Sequence, residues 1–99
     1  MRREHEIPIS EQDLKFIVRD EFEETVDLAR YNSYCSTCYG KDEVEMIEYT
    51  LSLNDLNDVI FRGKCKSCNG KIVRYVEIGE LAKFRMRTEI IRESKVNKN

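Results

Sequence analysis

The sequence contains few of the residues on which enzyme active sites commonly depend. Its single histidine, His5, lies near the N-terminus and apart from every motif, so no Ser/His/Asp triad can form. The four glycines do not make a glycine-rich phosphate loop. We therefore expect that the protein is not an enzyme, and we expect His5 to be solvated rather than to bind a metal.

Long apolar segments are also missing. No run approaches the roughly 20 apolar residues of a membrane-spanning helix. A signal peptide has an apolar stretch after its basic residues, and the first six residues, MRREHE, have none after the arginines. The sequence thus predicts a cytoplasmic protein without a membrane partner, in a compartment where cysteines stay reduced.

All four cysteines lie in two copies of one motif, Cys-x-x-Cys-x-Gly-Lys, at residues 35–41 and 65–71. Each Cys-x-x-Cys turn directs two sulfurs to one point, and four sulfurs complete the closed tetrahedral shell of structural zinc. The alternatives are four reduced core cysteines or two disulfides. The spacing favours one Zn²⁺ per chain, and the predicted ligands are Cys35, Cys38, Cys65 and Cys68.

This pair of motifs resembles the zinc ribbon family, in which two Cys-x-x-Cys knuckles are carried on β-hairpins. The resemblance covers residues 34–78, and the four cysteines fall on the family's ligand positions. Zinc ribbons often have proline inside a knuckle and glycine directly after it, and this chain departs from that pattern at Ser36, Lys66, Tyr39 and Asn69. The repeated unit is also similar to the cysteine-rich domain of chaperones, which uses four copies. The fold that the resemblance implies leaves the function open.

The remaining patterns predict one α+β domain over residues 1–99, in which an N-terminal and a C-terminal helix flank a three-stranded antiparallel sheet along the chain. Alternating apolar residues indicate strands at 44–53, 59–61 and 72–78, and Asn54–Asp58 is rich in turn-forming residues. The predicted segments are a flexible arm (1–9), an acidic amphipathic helix (10–31), the zinc ribbon (34–78), a basic helix (80–94) and a polar tail (95–99). Tyr31, Tyr34 and Tyr39 are expected to shield the sulfurs.

Each predicted helix has a feature that bears on partners. In the first, Ser10 and Asp13 form a capping box, and Phe16 projects among the acidic residues, where it is a candidate contact for a partner.

The second helix has two apolar stripes. One contains Leu81, Phe84, Thr88 and Ile91, and the other contains Ala82, Met86 and Ile90. One ribbon can cover only one stripe. The second stripe predicts either a homodimer or cover by the N-terminal helix.

The charge is divided along the chain. Residues 1–61 have 6 basic and 15 acidic side chains, and residues 62–99 have 11 basic and 4 acidic ones, which together give the net charge of −2. The two halves either neutralise each other in the fold or form two faces with different partners. The candidate residues for binding nucleic acid are Arg62, Lys64, Lys66, Lys71, Arg74, Lys83, Arg85 and Arg87.

Three functional hypotheses follow. The first is a non-catalytic protein-interaction module with a structural zinc site, for which a protein partner is expected. The second is a nucleic-acid-binding zinc ribbon, related to transcription or translation, that uses the basic half. The third is a thiol redox or chaperone-like zinc protein, which four zinc-bound thiolates disfavour because they are held away from exchange.

Overall fold

The computed structural model describes residues 6–31, 33–35, 41–78 and 81–96. Three helices cover one face of a four-stranded antiparallel sheet of spatial order β1-β4-β5-β6, and β2 pairs with β3 in a separate two-stranded sheet. The strands are β1 (Ile7–Ile9), β2 (Ser33–Cys35), β3 (Lys41–Val44), β4 (Met46–Leu53), β5 (Val59–Cys65) and β6 (Lys71–Val76). The helices are α1 (Glu11–Val18), a 3₁₀ turn (Arg19–Glu21), α2 (Phe22–Tyr31) and α3 (Ala82–Val96).

The α+β class is confirmed, but the main sheet has four strands where the sequence predicted three. The additional strand is β1, within the segment that was predicted to be a flexible arm. Ile7 and Ile9 pair with Leu53 and Leu51 of β4. Ile9 is buried in the core. Pro8 between them is compatible with this position because β1 lies at the edge of the sheet, where a missing N–H leaves no gap in a ladder.

Strand β4 contains a β-bulge. Two of its residues, Glu48 and Tyr49, lie opposite a single residue of β5, Gly63. Glu48 has a φ of 52°, in the left-handed region that residues with a side chain adopt infrequently. The pairs that flank the bulge are Ile47 with Lys64 and Thr50 with Arg62.

The bulge changes which residues of β4 face the core. Strict alternation along β4 would place Ile47 on the buried face with Leu51 and Leu53, and Met46 on the exposed face. In the structure Met46 is fully buried, whereas Ile47 is half-buried. An extra residue between Ile47 and Thr50 reverses the alternation, so that Met46 and Leu51 both lie on the inner face.

Tyr49 connects the bulge to the helical layer. Its hydroxyl donates a hydrogen bond to the Glu11 carboxylate at the start of α1. Its ring centroid lies 5.4 Å from that of Phe61. Partial burial and then the Glu11 carboxylate raise the pKa of Tyr49 to about 12. The phenol is therefore protonated at neutral pH and serves as a donor.

The N-terminal helix begins as predicted but is not continuous to residue 31. Ser10 and Asp13 form the predicted capping box. Burial alone would raise the pKa of Asp13, but the backbone N–H of Ser10 and the ammonium group of Lys95 outweigh that effect and lower it. The helix breaks at Arg19, which has a φ of 53°. Beyond the break, Val26 and Ala29 of α2 are buried, whereas Leu28 is 44% exposed.

Helix α3 packs antiparallel to α1. An ion pair joins Lys83 near its start to Glu21, and another joins Lys95 near its end to Asp13. Arg92 holds the β4–β5 turn through the carbonyl of Asn54 and the side chain of Asn57. The helix covers residues 82–96 rather than 80–94, so part of the predicted polar tail is helical because Lys95 is bound to α1.

The predicted turn at Asn54–Asp58 is confirmed. The side-chain oxygen of Asn54 accepts hydrogen bonds from the backbone N–H groups of Leu56, at 2.9 Å, and Asp58, at 3.0 Å. This is the local backbone bonding for which asparagine is favoured in turns.

One buried cluster connects the layers. It contains residues of the inner sheet face, all three helices and two cysteines, among them Leu14, Ala29, Met46, Phe61, Ile72, Phe84, Cys35 and Cys65. The cysteine site is therefore an extension of the hydrophobic core. None of the described helices combines the length and hydropathy that a membrane span requires.

Candidate metal centre

Two β-hairpins carry the cysteine motifs. In the first hairpin, Cys35 ends β2 and pairs with Lys41, which begins β3. In the second, Cys65 ends β5, and the last pair of β5 with β6 is Lys64 with Lys71. The first cysteine of each motif thus lies at the end of a strand whose antiparallel partner follows it in the chain. Tertiary contact between β2 and β6 brings the two hairpins together.

The sulfurs of three cysteines converge. The Sγ atoms of Cys35, Cys65 and Cys68 all lie within 4.8 Å of one another, although Cys35 is 33 residues from Cys68. The Sγ atoms of Cys35 and Cys68 are 3.5 Å apart, well beyond the ~2.05 Å of a disulfide bond. Tetrahedral zinc with Zn–S bonds of about 2.3 Å places its sulfurs roughly 3.8 Å apart. These three cysteines are therefore arranged as ligands that could hold a metal ion.

The second knuckle has a backbone suited to presenting two thiolates. The N–H of Asn69 donates to the carbonyl of Cys65 at 2.7 Å, and the N–H of Cys65 donates to the carbonyl of Gly70 at 2.8 Å. Asn69 adopts a φ of 67°. Asparagine adopts a positive φ more readily than most residues with a side chain. Asn69 can therefore take the position after the knuckle at which zinc ribbons often have glycine. The N–H of Gly70 donates to the Cys68 sulfur at 3.4 Å.

The surroundings of the sulfurs are apolar on one side and solvent on the other. Cys35 and Cys65 are fully buried, whereas Cys68 is exposed. Met46, also fully buried, is the β4 residue that pairs with Cys65. Tyr31 and Tyr34 are 45% and 60% exposed, so neither tyrosine belongs to the buried core beside the sulfurs. Shielding of the sulfurs by these tyrosines stays a prediction.

Three residues with a predicted role lie outside the described part of the chain. They are Cys38, the predicted fourth ligand; His5, which was predicted not to be a ligand; and Tyr39, which was predicted to shield the sulfurs. The structure therefore supports three of the four predicted ligands.

Comparison of the chain with protein-family models, with curated proteins and with solved structures found no match.

The basic residues proposed to bind nucleic acid do not form one surface. Arg62, Lys64 and Lys71 share the outer face of the sheet, where their strand positions alternate with buried residues. Arg74 pairs with Phe61 and so lies on the opposite, inner face. The others lie apart: Lys66 is at the second knuckle, and Lys83, Arg85 and Arg87 are on α3.

Much of the charge division is neutralised within the fold. Basic residues from the second half of the chain pair with acidic residues from the first half. These pairs are Arg62–Glu6, Lys64–Glu48, Lys66–Glu45, Lys83–Glu21 and Lys95–Asp13. Most of these side chains are partly exposed, so each pair contributes little stability alone. Their common effect is to reduce the positive potential that a polyanion would encounter.

The predicted interaction residues differ in their surroundings. Phe16 is 36% exposed, and the Arg19 guanidinium lies 5.4 Å from the centroid of its ring. Arg19 thus covers part of the apolar ring surface that a partner could contact. Ala82, Met86 and Ile90 all face solvent. The first stripe of α3 is the buried one: Phe84, Thr88 and Ile91 face the core, although Leu81 is 46% exposed. Cover of the second stripe by the N-terminal helix is thus wrong, because α1 packs on the first.

Proposed function

We propose that this chain is a zinc-binding protein-interaction module of the zinc ribbon type, with a structural Zn²⁺ and no catalytic activity. Its ligands would be Cys35, Cys38, Cys65 and Cys68. The observation that carries the proposal is the convergence of three sulfurs within 4.8 Å at the ends of two hairpins. Cys38 follows Cys35 by three residues, the spacing that directs a second thiolate to the same point.

The donor set supports a structural metal rather than a catalytic one. Four thiolates close the tetrahedral shell, whereas catalytic zinc keeps a position open for water or substrate. Two of the three described sulfurs are buried in the hydrophobic core, so a metal bound there would connect the two hairpins directly to the packing of the helices. Binding at such a site is coupled to folding.

The metal is tested by native mass spectrometry of the wild type and two variants. The wild type is expected to have the mass of the chain plus one zinc. Cys38→Ser is expected to lose the zinc during buffer exchange, because a three-thiolate site is incomplete. Ser36→Ala, in the same segment but without a ligand, is the matched control and should retain one zinc. A folded, metal-free wild type would refute the proposal, as would a Cys38→Ser variant that binds zinc as tightly as the wild type.

The outer face of the sheet supports nucleic-acid binding as a second candidate function. Val73 and Tyr75 are 50% and 47% exposed there. Val73 pairs with Arg62, and Lys71 pairs with Lys64, so apolar and basic side chains lie on one surface. Basic side chains that follow a backbone, with an aromatic ring for stacking, are the components of single-strand recognition.

A fluorescence titration with labelled single-stranded RNA in low salt tests this candidate. We expect Tyr75→Ala to weaken binding by roughly 5- to 150-fold, the range that corresponds to the stacking of one base. Lys71→Glu should weaken binding to all sequences and reduce the salt dependence. Leu56→Ser, at an exposed apolar residue of the β4–β5 turn, is the control and should bind as the wild type does. Absence of binding in low salt would exclude this function.

A further inference from the structure

The solvent-facing side of α3 carries two rows of residues at helical spacing. The apolar row is Ala82, Met86 and Ile90, and the charged row is Arg85, Glu89 and Glu93. All six residues are exposed, and Met86 is 71% exposed. Members of a row are four residues apart, and each charged residue follows an apolar one by three, which places the rows about 60° apart around the axis. The two rows therefore lie side by side on one face.

The other charged residues of α3 have partners in their own chain. Lys83 and Lys95 form ion pairs with Glu21 and Asp13. Arg87 donates to the carbonyl of Ile17, and Arg92 binds the β4–β5 turn. Within the described ranges, no ion pair or side-chain hydrogen bond involves Arg85, Glu89 or Glu93. The unpartnered charges of the helix are thus confined to the face with the exposed apolar row.

We propose that this face binds the same face of a second copy of the chain, with the two α3 helices antiparallel about a two-fold axis. The inference rests on the protein-interaction function proposed above and identifies the partner as the protein itself. Such an axis lies between the helices and perpendicular to them, so each row meets its own equivalent in reverse order.

The reversed order makes both rows complementary to themselves. In the apolar row, Ala82 faces Ile90 of the partner subunit, and Met86 faces Met86 of the partner subunit, so a small side chain meets a large one. In the charged row, Arg85 is offset by about 3 Å along the helix axis from Glu89 of the partner subunit and by the same rise from Arg85 of the partner subunit. The opposite-charge contact occurs twice and the like-charge contact once, so the row as a whole is attractive. Parallel helices about a two-fold axis would instead set each apolar row against a charged row. Rows of the i, i+4 type are also those that pack in the commonest helix–helix geometry.

The charges of the face disfavour other occupants. The charged row has one basic and two acidic residues, so neither a nucleic acid nor an anionic membrane surface is attracted to it. The two ion pairs across the axis are also at the rim of the contact, where they select the orientation more than they increase the affinity. The occupant must therefore present an apolar row beside both signs of charge, as this helix does.

The expected dimer is weak and reversible. Helix α3 has 15 residues, and its two rows cover about three turns. A contact of that length is smaller than the ~800 Å² per partner of a standard stable interface. We therefore expect the average mass in solution to rise with protein concentration from about 10 µM to about 1 mM rather than to stay constant.

Sedimentation equilibrium of charge-reversal variants, alone and mixed, tests the proposal. Arg85→Glu sets like acids against each other across the axis, and the double variant Glu89→Arg/Glu93→Arg sets like bases. Each variant alone is expected to associate at least tenfold more weakly than the wild type. An equimolar mixture restores opposite charges on both sides of the axis and is expected to regain the association of the wild type.

Controls separate this result from misfolding and from loss of the metal. Glu77→Arg changes an exposed charge outside α3 and should associate as the wild type does. Circular dichroism and zinc content should be unchanged in every variant, since all the replaced side chains are exposed; an associating protein without zinc would refute the proposed zinc site and leave the dimer standing. The dimer is overturned if the wild type stays monomeric at about 1 mM, a concentration at which even weak pairs form. It is also overturned if either variant associates as the wild type does, or if the mixture stays monomeric.

Discussion

We expect the Cys65→Ser variant to lose the cooperative thermal unfolding transition that the wild type shows in the presence of zinc. Cys65 is fully buried, in one cluster with Met46, Phe61 and Ile72. Structural zinc in small domains contributes about 10–16 kcal/mol of binding free energy at neutral pH, comparable to the roughly 5–15 kcal/mol by which whole domains are stable. Serine would also place a hydroxyl in this fully buried, apolar position. The loss should therefore exceed the stability that remains.

The measurement is thermal denaturation followed by circular dichroism in buffer with excess zinc. Ser67→Ala lies in the same knuckle, replaces an exposed residue and should change the free energy of unfolding by less than about 0.5 kcal/mol. A strong chelator added to the wild type should reproduce the effect of Cys65→Ser. A Cys65→Ser protein that melts cooperatively within about 5 °C of the wild type, a difference of roughly 1 kcal/mol, would show that the metal does not hold the fold.

Replacement of Gly63 by alanine is expected to lower the free energy of unfolding by roughly 1–3 kcal/mol, the cost of overpacking a filled core. A Cβ at this position would lie 2.6 Å from Cγ of Met46 and 2.7 Å from the carbonyl oxygen of Ile47. Met46 is fully buried in the core cluster, so its side chain can move aside only by displacing other core side chains. The carbonyl belongs to the backbone at the β4 bulge, which moves only if the pairing with β5 changes.

Urea denaturation of zinc-saturated protein measures this effect. Thr50→Ala, at an exposed position of β4, is the control and should be nearly neutral. Combining Gly63→Ala with Met46→Ala removes the side-chain clash and leaves the clash with the carbonyl oxygen. The double variant should therefore be more stable than the sum of the two single effects predicts. If Gly63→Ala is as stable as the wild type, the close approach of β4 to β5 at the bulge is not present in solution.

Features determined by neighbouring residues could be predicted from the sequence. The capping box at Ser10 and Asp13 and the turn that begins at Asn54 depend on hydrogen bonds over two to four residues, and both are present. The cysteine site is a long-range feature, but its chemistry left few alternatives. One Cys-x-x-Cys pair supplies only two of the four ligands that structural zinc requires, so the two pairs are expected to bind one ion together. Three of the four sulfurs converge as predicted.

The features that the sequence did not reveal depend on tertiary contacts. Strand β1 has only three residues and contains Pro8, so its pairing with β4 has no local signal. The bulge is equally hidden, because Glu48 occupies a left-handed position where glycine would have been a recognisable sign. The same holds for Arg19, which interrupts the predicted N-terminal helix with a positive φ.

The position of β1 beside β4 also affects the order in which the chain can fold. Strands β4, β5 and β6 follow one another along the chain and need only short loop closures. Docking of β1 closes a loop over residues 10–45, and joining Cys35 to Cys65 closes one that overlaps it. Closure of either loop shortens the segment that the other must bring together, which reduces its entropic cost. A metal bound by the hairpins would thus speed the docking of β1, a strand that supplies no ligand.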